Sequence, residues 1–254
     1  MEDNTPRVLV ISHTVFSATG NMGKTMMRML AGIPPDRLAQ LYFHQEIPTR
    51  RCCLRYFRIT DSEVLRSVFT RRAGGRSFNG DDIDEAADSR VDCCNLAKVY
   101  QFSRRRTPLI YFLRNSMWAA GKWKSSALLE WAESFHPDVI FFAAGDYAFS
   151  YRVTLSLAQY LQVPVVMWCA DDYYLSPPVS PFRRLQCRRL RKLARQVVRQ
   201  SGAVVTISDK MGTDYARFFD VPVETVRISS DPNPYALPAT QRTGIVYAGH
   251  LGLN

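Results

Sequence analysis

Long apolar runs are missing from this chain. The longest, residues 163–170, is interrupted by Pro164. A membrane-spanning helix needs about 20 consecutive apolar residues, so none is expected here. The opening Met1-Glu2-Asp3-Asn4 lacks the basic-then-apolar order of a secretory leader. Cysteine is present but never as C-x-x-C: it occurs as Cys52-Cys53, Cys93-Cys94, Cys169 and Cys187. Neither a zinc site nor a disulfide framework is therefore expected, and a reduced cytosolic protein fits best. The four histidines, His13, His44, His136 and His250, lie far apart in the sequence, and neither G-x-S-x-G nor H-E-x-x-H occurs. No bound metal is expected, and the signatures of an α/β-hydrolase elbow and of a zincin are missing. Acid is also in short supply, with 23 Asp+Glu against 33 Lys+Arg, a net charge of +10. No internal repeat or low-complexity stretch is present.

What remains is globular. The 254 residues are 46% hydrophobic and 22% charged, enough to bury roughly three quarters of the unfolded surface. Short β-rich runs alternate with helical patterns. Strands are predicted at 7–12, 39–44, 54–60, 138–144, 164–169, 203–208 and 223–228. Helices are predicted at 24–31, 127–135 with Ser126 as cap, 151–161, 182–200 and 210–219. Alternation of this kind means βαβ units, hence an α/β fold: a Rossmann-like parallel sheet with helices on both faces.

Two stretches break the rhythm. Residues 71–95, with Gly74-Gly75, Gly80 and a run of acids, read as an exposed loop or insertion. Residues 229–243 hold Pro232, Pro234 and Pro238 and read as a linker, after which 244–249 form a new strand opening into a Gly turn. The expected division is a Rossmann-like domain over 1–235. Residues 236–254 then give the linker and first strand of a second domain lying beyond this chain.

Open parallel sheets bind ligands outside the carboxyl ends of their strands. Four polar clusters fall at such ends: residues 20–25, Gly145-Asp146, Asp171-Asp172-Tyr173 and Ser208-Asp209-Lys210. Each alone reads equally as a solvated loop or a helix cap. Their expected convergence along one rim is what marks them as a site. Carboxylates there, Asp146 and Asp171, are candidates for a catalytic base.

Residues 18–25 nearly fit G-x-x-x-x-G-K-[ST], with Ala18 in place of the first Gly. Such a loop wraps phosphates with backbone N–H groups while Lys24 offsets their charge. A nucleotide hydrolase is the first alternative reading. Gly20 and Gly23 serve equally as a tight turn at a helix N-terminus close to a diphosphate. Asp82-Ile83-Asp84 is an Asp-x-Asp, but it sits in an acidic run with no strand before it and reads as solvated loop.

The 182–200 helix carries eight basic residues and no acid. Its apolar stripe of Leu190, Leu193, Ala194, Val197 and Val198 suits a core helix with a basic outer face. It equally suits an anionic partner, either acidic lipid or nucleic acid. Residues 104–123 mix basic and aromatic side chains as an interfacial surface would. An anionic membrane surface contacted through 182–200 and 104–123 is thus a suggested partner. Nucleic acid is not expected, because no recognition motif is visible. A non-catalytic basic module is the second alternative reading.

The order of these elements carries a resemblance. His136-Pro137-Asp138-Val139-Ile140 leads to Gly145-Asp146, and Val163-Pro164-Val165-Val166 leads to Asp171-Asp172-Tyr173-Tyr174. Then come residues 202–211, Tyr215, residues 226–229 and finally Ile245-Val246-Tyr247-Ala248-Gly249. This resembles the N-terminal half of two-Rossmann-domain (GT-B) glycosyltransferases, particularly the family 4 group that builds bacterial surface polysaccharides. The resemblance implies an acceptor-side domain, a nucleotide-sugar donor held mainly by a second domain, a glycan or lipid-linked acceptor, and no metal or other cofactor. It places residues 20–23, Gly20, Asn21 and Gly23 among them, near the donor diphosphate, with Lys24 beside them a further substrate-binding candidate. Asp146, Asp171 and Asp172 fall near the acceptor or transferred sugar and Gly249 opens the donor side; Tyr173 and Ser208, at the same strand ends, are further substrate-binding candidates. It implies no activity without the second domain; the cysteine usage and the segments 182–200 and 104–123 suggest a cytoplasmic location, peripheral to the membrane.

Overall fold

A computed structural model describes residues 5–18, 20–48, 52–80, 108–175, 177 and 180–227. They form one eight-stranded sheet: β1 (Val8–Ser12), β2 (Leu38–Tyr42), β3 (Arg55–Arg58), β4 (Arg76–Asn79), β5 (Val139–Ala144), β6 (Val165–Cys169), β7 (Ser201–Thr206) and β8 (Val223–Thr225). The spatial order is β4-β3-β2-β1-β5-β6-β7-β8. Every pairing is parallel except β3 with β4. Seven α-helices accompany the described strands: α1 (Asn21–Met29), α2 (Asp61–Thr70), α3 (Pro108–Ala120), α4 (Ser126–Phe135), α5 (Ala148–Leu161), α6 (Pro181–Arg199) and α7 (Asp209–Phe219).

Strand alternation sorts the core into two layers. Leu9, Ile11, Ile140, Phe142, Val165 and Met167 face one side, where α4, α5, α6 and α7 bury Leu128, Leu157, Ala194 and Tyr215. Val8, Val10, Phe141 and Trp168 face the other, where α1 packs Met26. The chain winds from β1 toward β3 and then returns to wind from β5 toward β8. Crossovers of one hand running in opposite directions put α1 on one face and α5, α6 and α7 on the other, where α2 and α3 also bury Val64 and Trp118. The reversal falls between β1 and β5, and this topological switch point is where such sheets open a crevice.

Several expectations change at this level. Residues 71–95 were expected to be loop, but within their described part 76–79 pair antiparallel with β3 as an exposed edge strand. Gly75, at φ +104°, makes the turn into it. The cap of α4 is Ser125, whose Oγ accepts from Leu128 N at 3.0 Å, and not Ser126. Helix α2 was unexpected. It starts on a capping box in which Thr60 Oγ1 accepts from Glu63 N while Glu63 accepts from Thr60 N at 2.7 Å. Among the described residues, no helix is long and apolar enough to cross a membrane.

Candidate active site

A pocket of about 420 Å³ opens at the carboxyl edge of the sheet, over the switch point. Its walls come from Ser12 at the end of β1 with His13-Thr14 after it, Phe43-His44-Gln45 after β2, Gly145-Asp146-Tyr147 after β5, and Asp171 and Tyr173 after β6. Met22 of α1, Asp61 of α2 and Arg114 of α3 complete it. Loops far apart in sequence therefore meet in one place; of the four clusters expected along this rim, those at 145–146 and 171–173 contribute lining residues, 20–25 contributes Met22 alone, and 208–210 contributes none.

Asp146 accepts a hydrogen bond from the Tyr111 hydroxyl, and the Tyr111 ring stacks on Tyr147 at 5.4 Å. Asp171 accepts from the Tyr173 hydroxyl at 2.9 Å. Each candidate carboxylate thus carries a phenol beside it, and Tyr147 and Tyr173 also present ring surface to the pocket. Arg114 is held on three sides. Its Nε pairs with Asp61 at 2.9 Å, and its guanidinium lies 4.1 Å from the Tyr147 centroid and 4.9 Å from that of Phe149. Asp61 is shared, accepting also from Trp118 Nε1 at 2.7 Å. The aromatic segment read as one interfacial surface over 104–123 is therefore divided. Its tryptophan at 118 is buried, and its arginine at 114 walls the pocket.

Other expected site residues have other work. Asp172 Oδ1 accepts from Tyr174 N at 3.0 Å, Leu175 N at 2.9 Å and the Tyr215 hydroxyl at 3.0 Å; it shapes its own turn and does not line the pocket. Ser208 caps α7, accepting from Met211 N at 3.3 Å. Of residues 20–24 only Met22 lines the pocket. Gly20 is the N-cap of α1 and, having no side chain, offers no acceptor to the first-turn N–H groups. Gly23 is required for packing: a Cβ there would sit 2.6 Å from Ser17 N and 2.7 Å from Val15 O. Asn21 and Lys24 are exposed. Gly249 lies outside the described residues.

The loop between β1 and α1 is held from below. Buried Gln40 accepts from Phe16 N at 3.1 Å and donates to Ser12 Oγ at 2.9 Å and Thr14 O at 3.2 Å. Ser17 Oγ donates to Glu46 at 2.9 Å and accepts from Gly20 N at 3.1 Å.

A second device lies under the β5 and β6 loops. The Tyr151 hydroxyl donates to Gly145 O at 2.8 Å and bonds the Tyr174 hydroxyl. Burial raises both phenols well above the usual tyrosine range, and burial pushes the neighbouring Cys169 thiol up to about 12. All three groups stay protonated at neutral pH.

His13 and His44, distant in sequence, become pocket neighbours with ring centroids 5.9 Å apart. Among the described residues, no group of three or more His, Cys, Asp or Glu side chains is placed to hold a metal ion. Sequence reasoning overlooked His13, His44, Asp61, Arg114 and Tyr147. His13 follows directly on one predicted strand and His44 ends another, which was a usable signal.

No protein-family profile matches the chain, and no curated protein matches it. Among solved structures, Anabaena HepE in complex with UDP and glucose is similar at 11% identity and a TM-score of 0.43, over 89% of this chain and 45% of HepE. The chain thus spans less than half the length of that protein.

Proposed function

We propose that this chain is the acceptor-side part of a glycosyltransferase of GT-B type. In this reading it transfers a sugar from a nucleotide-sugar donor to a glycan or lipid-linked acceptor in polysaccharide synthesis, on the cytoplasmic side. The observation that carries the reading is the meeting of Asp146 and Asp171 in one pocket with Tyr147 and Tyr173 at the switch point. Carboxylates accept hydrogen bonds from sugar hydroxyls, and aromatic rings cover the apolar faces of a pyranose. A pocket rich in both suits a polyol.

Glycosyl transfer develops positive charge on the sugar and negative charge on the leaving diphosphate. Asp146 or Asp171 is the candidate base for the acceptor hydroxyl. The first turn of α1, behind Gly20, is the candidate donor of N–H groups to the diphosphate. The second domain that this architecture uses for the donor would lie beyond the residues described.

The test is saturation-transfer NMR of the chain with a panel of methyl glycosides. At least one glycoside should show transfer, lost in both Asp146→Asn and Asp171→Asn while the fold persists. Transfer unchanged by both substitutions, or absent for every glycoside, refutes the reading. Lys24→Ala separates it from the nucleotide-hydrolase alternative: it should leave glycoside binding intact, and loss of ATP or GTP binding on that change would favour the alternative.

A further inference from the structure

Helix α3 has two unlike faces. Ile110, Tyr111, Asn115 and Trp118 are buried, and Tyr111 and Arg114 serve the pocket. The opposite face shows Leu109, Phe112, Leu113, Ser116, Ala119 and Ala120 to solvent. Leu109 is 64% exposed, Phe112 59% and Leu113 52%. A solvent-facing helix surface ordinarily carries charge, and this one carries none. The three large apolar residues stand at i, i+3 and i+4, so they form one contiguous patch and not scattered exposure.

The first turns of α6 pass beside this helix, with the Arg183 guanidinium 5.9 Å from the Tyr111 centroid. They expose Leu185, 67% open, among Arg184, Arg188 and Arg189. Further along the same face come Lys192 and Arg199. Among the described residues, no acidic side chain forms an ion pair with α6; the described ion pairs involve His44, Arg114, Lys210 and Arg227. Arg191 and Arg195 are used internally, Arg191 donating to Tyr174 O at 2.6 Å and Arg195 lying 4.5 Å over Phe218. The remaining guanidinium groups are left facing water.

We propose that the outer face of α3 and the adjoining basic face of α6 dock on an anionic lipid bilayer, with Leu109, Phe112, Leu113 and Leu185 entering the interface and Arg184, Arg188 and Arg189 lying over the headgroups. Uncharged apolar side chains bordered by unpaired arginines form the surface that binds acidic lipid in the plane of the membrane. Each surface arginine there is worth about five-fold in affinity. The proposal stands apart from glycosyl transfer, since it concerns a face opposite the pocket side of α3.

The test is cosedimentation of the 254-residue chain with vesicles of phosphatidylcholine alone and of phosphatidylcholine mixed with phosphatidylglycerol. Binding is expected to the mixed vesicles only and to weaken with added salt. Phe112→Ser with Leu113→Ser should weaken it on the order of tenfold. Arg184→Gln and Arg188→Gln should each weaken it about five-fold. All four positions are exposed, so melting temperatures should hold, confirming that the variants fold. Binding to neither vesicle, equal binding to both, or undiminished binding by the Phe112→Ser/Leu113→Ser variant overturns the proposal. So does a dimer that this variant dissociates without any vesicle binding, which would assign the face to a second copy. Glycoside binding, read separately, is expected to be unaffected in every variant.

Discussion

Removing the Arg114 side chain tests the pocket wall most directly. The Arg114 side chain is 9% exposed and that of its partner Asp61 24%, so the pair is only partly screened. Arg114→Ala deletes a charge-assisted hydrogen bond, worth about 2 kcal/mol in such surroundings. It also uncovers the rings of Tyr147 and Phe149, where a cation so placed contributes about 1 kcal/mol. The expected loss is therefore about 3 kcal/mol, or on the order of 9 °C in melting temperature for a domain of this size.

Thermal unfolding followed by circular dichroism reads the total, and a cycle with Asp61→Asn isolates the pair. Asparagine at position 61 can still accept from Trp118 Nε1, so that contact is preserved in the cycle. A coupling of about 1.5 kcal/mol is expected. Arg114→Lys keeps the charge but loses the planar stack, and should recover less than half. A coupling below about 0.5 kcal/mol would mean that Arg114 and Asp61 do not act as a unit, and the account of this wall would fall.

Two further outcomes follow from packing and burial. Gly23→Ala drives a methyl group against Val15 O and Ser17 N and should cost about 2 kcal/mol by urea denaturation, whereas Lys24→Ala one residue later should change stability little. A melting temperature unmoved by Gly23→Ala would show that the loop yields freely. Alkaline pH acts on the buried thiols: Cys53 and Cys169 are both pushed up to about 12 from an ordinary 9, in each case chiefly by burial. Unfolding releases their protons above pH 9 while the folded protein holds them, so their contribution is whole below pH 9. It declines by about 1.4 kcal/mol per thiol per pH unit until the folded groups titrate near 12. Urea midpoints that stay level between pH 9 and 11 would contradict this.

The sheet was legible because its strands are buried on both faces and read as continuous apolar runs, as in residues 8–12 and 139–144. Helix α2 was equally open to reading, since Thr60 and Glu63 have the spacing of a capping box; its weak apolar pattern, with Val64 and Ser67 buried, concealed it. Asp146 and Asp171 could be found because a parallel sheet dictates where its strand ends gather. Arg114 could not be found that way. It reaches the pocket from a helix that crosses back over the sheet, and no local pattern tells which side of an amphipathic helix will face a cleft when both sides carry aromatics. His13 and His44 were missed because β1 and β2 neighbour each other only after a crossover. Asp172 and Ser208 show the reverse error: a polar residue at a strand end often goes to its own turn or cap.

The tyrosine pair beneath the β5 and β6 loops has a mechanical consequence. Tyr151 grips the Gly145 carbonyl, Tyr174 is bonded to Tyr151 and through its own N–H to Asp172, and Tyr215 fastens Asp172 again from α7. One hydroxyl chain therefore spans the gap between the two loops, and the separation of the Asp146 and Asp171 carboxylates is a gauge set from underneath. Whatever enters above must conform to that gauge, and any accommodation has to come from the opposite bank, where α3 leans in.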